Sequence, residues 1–160
     1  MTTSSRGPRS APRNADAVRA AARLARVAAN ALGDAELTLA QYRVLVFLDD
    51  ADRPATQVAG LLGVTPSTVT SVVDGLATRG LVRRRADPTD RRRVVLSITA
   101  DGQRLVARAD DVVGDRLSKL LARLDTDDAE RVLVGLEHLN HAMDLYVDEK
   151  FGGATSTMPT

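Results

Sequence analysis

The chain has 160 residues, 44% of them hydrophobic, which is enough for one packed core. It contains no Cys and no Trp, and only two Phe and two Tyr. Disulfides, thiolate zinc sites and cysteine-based peroxide sensing are therefore excluded, and single-stranded nucleic-acid binding on aromatic platforms is disfavoured. Net charge is only +1, but residues 54–105 hold eight arginines against four aspartates while the remainder is net acidic. A basic module attached to an acidic remainder is the footprint expected of DNA binding.

Residues 1–14 are rich in Ser, Pro and Arg and are expected to form a disordered arm. From Ala15 to Leu32, Val18, Ala21, Ala22, Ala25, Ala28 and Ala29 fit an amphipathic helix that ends at Gly33. Thr38 caps a second helix to about Leu48, with Tyr42, Leu45, Val46 and Phe47 as its apolar members. Pro54 to Leu62 reads as a short third helix, with Gly63 turning the chain into the next.

That next helix is the most informative element. Thr65 can cap its first free N–H groups and Pro66 suits its first position. Val69, Val72, Val73 and Leu76 make a buried face, while Pro66, Ser67, Thr70, Ser71 and Asp74 lie opposite. Small side chains let a helix approach base edges, and hydroxyls bond bases or phosphates. Gly80 ends the helix directly after Arg79.

Residues 81–85 and 93–98 then read as two strands, joined by the turn-rich Ala86-Asp87-Pro88-Thr89-Asp90-Arg91-Arg92. A helix-turn-helix beside a β-hairpin is a winged helix, and arginines at the hairpin tip suit a narrow minor groove. Thr99 caps a long helix to about Leu124, with Leu105, Val106, Ala109, Val112, Val113, Leu117, Leu120 and Leu121 on its buried side. Asp125-Thr126-Asp127 begins a final helix to about Val147, and residues 149–160 read as a flexible tail.

At these residues the sequence resembles the MarR family of bacterial transcription regulators. The match runs through GVTPSTVTSVVDGLATRGLVRR, the Asp87-Pro88-x-Asp90-Arg91-Arg92 wing signature and the Leu96-Ser97-Ile98-Thr99-x-x-Gly102 lead into the next helix. Upstream it includes Leu37-Thr38-x-x-Gln41-x-x-Val44-Leu45, and it covers roughly residues 16–148. The position of Ser71 is often an arginine in the family.

The resemblance implies a mainly α fold with a small β-hairpin wing. Residues 15–148 would form one domain: a winged helix at about 37–99, and dimerisation helices at about 15–32 and 99–148. Such a protein binds double-stranded DNA as a homodimer, is not an enzyme, and needs no cofactor. DNA-contacting positions on the helix are Pro66, Ser67, Thr68, Thr70 and Ser71, with Thr68 and Arg79 placed for capping and phosphate contact. On the wing they are Asp90, Arg91, Arg92 and Arg93. Arg92 matches the family's minor-groove arginine, and Asp90 either orients it or serves the turn. The family's effectors are small aromatic or phenolic molecules bound between dimerisation helices and winged helix, where Arg23, Arg26 and Arg43 are the candidate acid-binding residues.

Several other chemistries find no support. His138 and His141, near Glu137, Asp144 and Asp148, are the one constellation suggestive of metal, but two histidines without a third convincing ligand read as a polar helix face. No triad order, phosphate loop or His-Glu-x-x-His motif is present. No apolar run approaches the ~20 residues of a membrane span, and the N-terminus lacks a signal-peptide core, so a cytoplasmic location is expected. The alternative to a sequence reader is an architectural or protein-binding winged helix.

Overall fold

The computed structural model describes residues 14–87 and 93–151. Six helices and three short strands are present among them, in the order α1 (Asn14–Asp34), α2 (Leu39–Asp50), β1 (Arg53–Pro54), α3 (Ala55–Leu62), α4 (Pro66–Thr78), β2 (Val82–Ala86), β3 (Val94–Ile98), α5 (Ala100–Leu121) and α6 (Thr126–Phe151). The strands form an antiparallel sheet in the order β1-β3-β2. Its longer pairing runs from Val82 opposite Ile98 to Ala86 opposite Val94. The mainly helical fold with a β wing is as expected from the sequence.

The helix boundaries follow from local chemistry. At α2, Thr38 Oγ1 accepts from the Gln41 N–H at 3.2 Å and Gln41 Oε1 accepts from the Thr38 N–H at 3.0 Å. This reciprocal capping box satisfies two donors that the first turn would otherwise leave open. Gly63 closes α3 in the left-handed region, with φ of 66°. α5 ends at Leu121, short of the expected Leu124, because the chain tightens: the Arg123 and Leu124 N–H groups donate to the carbonyls of Leu120 and Leu121. Asp125 Oδ1 then accepts from the Asp128 N–H at 2.8 Å and starts α6, which runs past the expected end near Val147 to Phe151.

β1 was not anticipated. It is two residues long and includes Pro54, which has no N–H to donate. Such a strand fits only at a sheet edge, where it pairs Arg53 with Leu96 and Pro54 with Val95. The third helix accordingly starts at Ala55 instead of Pro54.

The core lies where α2, α3, α4 and the sheet meet the first half of α5. Leu32, Val44, Leu45, Leu48, Val58, Val69, Val73, Leu76 and Leu96 are almost fully enclosed there. On α2 the inward residues are Val44, Leu45 and Leu48, whereas Val46, read as an apolar member of that helix, is exposed. Along α5, Leu105, Val106 and Ala109 are buried as expected, whereas Leu120, assigned to the same side, is 41% exposed. On α1 the expected apolar face is open at its start, with Val18 67% exposed. α6 packs extensively against no other element among the described residues.

The start of α5 is the tightest joint. Thr99 Oγ1 accepts from the Gly102 N–H at 3.1 Å and donates to the Gly80 carbonyl at 2.8 Å. The Thr99 N–H reaches the Leu81 carbonyl at 3.0 Å. Gly102 sits so close that a Cβ there would lie 2.4 Å from the Leu81 carbonyl oxygen and 2.6 Å from Ile98 Cγ1. Backbone and a half-buried side chain cannot both yield cheaply. Gly102→Ala is therefore expected to destabilise the protein by about 1–3 kcal/mol in urea denaturation. An unchanged midpoint would show that this joint has slack.

Candidate nucleic-acid interface

α4 is set up by hydroxyl chemistry at its start. Thr65 is the N-cap, its Oγ1 accepting from the Thr68 N–H at 3.3 Å, and Pro66 follows in the first turn. The hydroxyls of Ser67 and Thr68 both lie 2.9 Å from Thr65 Oγ1. Thr68 thus belongs to the cap cluster. Val69, Val73 and Leu76 turn inward and Val72 is half-buried, while Pro66, Ser67, Thr70, Ser71 and Asp74 are exposed. The expected division of the helix into two faces holds.

The three arginines of β2 have different surroundings. Arg84 pairs across the sheet with Leu96, whose side chain is buried, so Arg84 shares the inner face. Its Nη2 lies 2.6 Å from Asp74 Oδ1 on α4 and 3.5 Å from the Thr70 carbonyl. Arg85, one residue on, pairs with Asp52 in the loop before β1. Arg83 is exposed, and no ion pair holds it among the described residues. Strand alternation was the available signal for this division, but no sequence spacing reveals that Asp74 and Arg84 meet.

Arg79 differs from its expected role. Its Nη1 donates to the Glu36 carbonyl at 2.9 Å, tying the end of α4 to the turn between α1 and α2 instead of reaching outward. Glu36 itself has φ of 57°, uncommon for a residue with a Cβ. At the wing, the Asp87 N–H donates to the Arg93 carbonyl at 2.9 Å, closing the described end of the hairpin with Arg93 exposed. Asp90, Arg91 and Arg92 lie outside the described residues.

A family profile described as the MarR family matches residues 35–93. Transcriptional regulator HosA of Escherichia coli O111:H- is 34% identical over 98 residues, spanning 59% of this chain and 71% of that protein. The chain belongs to the MarR family. Wild-type MarR of E. coli in its apo form has the same fold, with a TM-score of 0.73 at 22% identity over 82% of this chain and 98% of that one. Another similar structure is the transcriptional repressor CouR bound to a 23-mer DNA duplex, with a TM-score of 0.65 and 31% identity over 78% of this chain and 89% of that one. This MarR-family chain is thus a transcription regulator, and no helix among its described residues is long and apolar enough to cross a membrane.

In this regulator α1 and α2 are fastened to the long α5 by polar contacts. Gln103 Nε2 on α5 donates to Asp49 Oδ1 at 3.0 Å, and Arg116 meets Asp34 at 3.1 Å. The Tyr42 hydroxyl on α2 donates to Asp110 Oδ1 on α5 at 2.5 Å. Arg23 and Arg26 on α1 and Arg43 on α2 are all exposed, with no ion pair among the described residues. No group of three or more His, Asp or Glu side chains is arranged to hold a metal among the described residues.

Burial raises the Tyr42 pKa above its ordinary value of 10.0, and the hydrogen bond to Asp110 and that carboxylate's charge raise it further. A raised tyrosine pKa favours the neutral hydroxyl in the folded state. Its stabilisation is complete below pH ~10 and declines above it, where the unfolded chain ionises first. Thermal stability is expected to fall above that pH, and Tyr42→Phe to flatten the fall at a cost of about 1 kcal/mol at neutral pH. An identical alkaline profile in the variant would remove Tyr42 as the cause.

Proposed function

We propose that this MarR-family regulator is a homodimeric, sequence-specific repressor of cytoplasmic location. It binds a pseudo-palindromic operator in double-stranded DNA and releases it when a small aromatic or phenolic ligand binds. The observation that carries this reading is the exposed, hydroxyl-bearing face of α4 lying beside an arginine-bearing strand, with Arg84 bridging the two. α4 enters the major groove with Pro66, Ser67, Thr70 and Ser71 toward the bases. Arg91, Arg92 and Arg93 follow the backbone and minor groove, with Asp90 beside them. That the similar CouR structure is bound to a 23-mer DNA duplex supports DNA binding by this chain.

Dimerisation accounts for the uncovered apolar surface. Leu139, Met143 and Tyr146 are 53%, 51% and 60% exposed, and with Val132 and Leu136 they recur at helical spacing along α6. A 26-residue helix with such a face and little contact with its own chain needs a partner, and a second copy supplies the same stripe. Two-fold pairing also sets the two α4 helices about one DNA turn apart, ~34–36 Å. In this reading residues 15–148 act as one domain, 37–99 reading DNA and 15–32 with 99–148 pairing, while 1–14 and 149–160 are an arm and a tail.

Fluorescence anisotropy on the DNA flanking the protein's own gene, against a scrambled duplex, tests the reading. Operator affinity is expected to exceed scrambled affinity and to drop steeply with salt as arginines displace counterions. Arg92→Ala is expected to weaken operator binding strongly while helix content and dimer mass stay unchanged. Equal affinity for both duplexes would instead favour the architectural reading.

The ligand site is the crevice between α1, α2 and the start of α5, with Arg23, Arg26 or Arg43 pairing an acid group. A ligand releases DNA only by favouring one dimer geometry over another, and ~100-fold release needs about 2.7 kcal/mol of differential affinity. Titrating aromatic acids into the protein–operator complex is expected to free the DNA without loss of helix content. Ligands that bind the free dimer and leave operator affinity unchanged would rule the crevice out as the switch.

A further inference from the structure

We infer that α4 reads the 5-methyl edge of thymine and takes no direct part in recognising guanine. The inference rests on the reading above, that α4 enters the major groove. Guanine presents the N7 and O6 acceptors there, which are bound by the forked donors of arginine or by lysine. α4, PSTVTSVVDGLAT, contains neither residue. The two arginines closest to it are engaged elsewhere. Arg79 is drawn to the Glu36 carbonyl at the far end of the helix, and Arg84 is neutralised by Asp74 at 2.6 Å. Asp74 is the one charged group on the helix, and that ion pair quenches it.

Among the outward groups, Ser67 and Ser71 carry single hydroxyls and no forked donor, while Thr70 and Pro66 present carbon and a lone pair. Thr70 Oγ1 donates to the Pro66 carbonyl at 3.0 Å, so its proton is committed within the helix. The exposed part of Thr70 then offers its methyl group and an oxygen acceptor, and the exposed Pro66 ring adds apolar surface one turn earlier. The major-groove edge of a thymine–adenine pair is complementary to this: thymine carries the C5-methyl, and adenine the N6 donor.

The test begins with the full-length protein and a random duplex pool, from which bound sequences are recovered. In the recovered half-site each thymine is then replaced by deoxyuridine, which removes the methyl and keeps the base pair. Each guanine is replaced in parallel by 7-deazaguanine, which removes the N7 acceptor. At one or two thymines the exchange is expected to weaken binding about 3–5-fold per methyl, while 7-deazaguanine changes it less than about twofold. Thr70→Ser keeps the hydroxyl and drops the methyl. It is expected to lose a similar factor on the thymine duplex and to become indifferent to deoxyuridine. Equal binding of thymine and deoxyuridine duplexes by the unaltered protein, or a large loss with 7-deazaguanine, overturns the inference while leaving DNA reading intact. A pool that yields no preferred sequence overturns the reading of DNA itself, and this inference with it.

Discussion

The hydroxyl of Thr99 ties the turn after α4 to the start of α5. That one side chain accepts from the Gly102 N–H at the start of α5 and donates to the Gly80 carbonyl at the end of the α4 turn. Gly80, with φ of 71°, adopts the left-handed turn that lets its carbonyl be reached. The Leu81 carbonyl accepts from the Thr99 backbone and lies against Gly102. A single buried polar cluster therefore joins the end of α4, the first residue ahead of β2 and the beginning of α5. It is fully satisfied, in keeping with the absence of unpartnered buried side-chain polar atoms among the described residues.

α5 also holds α2 through Tyr42–Asp110 and Gln103–Asp49, and α1 through Arg116–Asp34. Beneath these surface links, Leu105, Val106 and Ala109 close the core. Exposed polar links are individually weak, and the buried contacts carry most of the energy. The value of the polar links is geometric: they fix how α5 lies against α1 and α2.

The sequence was most legible where one residue dictates its own surroundings. Thr38, Thr65 and Thr99 each announce a helix start, and all three cap as expected, because a capping hydroxyl acts within three residues. The inward positions of α4 followed from spacing alone, since that helix has core on one side only. Reading failed where a partner lies far along the chain. Arg79 reaches back to Glu36 and Arg84 across to Asp74, contacts that no local pattern encodes. β1 was missed because two residues, one of them proline, carry no alternation to detect. The apolar positions of α1 were legible from their spacing, yet only the end of that helix, at Ala31 and Leu32, is buried, while Val18 near its start is exposed. The wing-tip residues Asp90, Arg91 and Arg92 fall outside the described residues, so their placement rests on resemblance.

The arginine run of β2 has a second effect, through the sheet. In the order β1-β3-β2, β2 is an outer strand, and one side of its backbone offers unpaired N–H and C=O groups to any passing strand. Of the three arginines on that strand, Arg84 and Arg85 are held in ion pairs, and the charge of Arg83 is what would meet its like on another copy and discourage edge-to-edge growth. The opposite rim is blunted by Pro54 and by a strand only two residues long. Strand addition is thus disfavoured at both rims, one by charge and the other by a missing donor. Charge on one rim and a proline on the other both act against aggregation through the sheet edges.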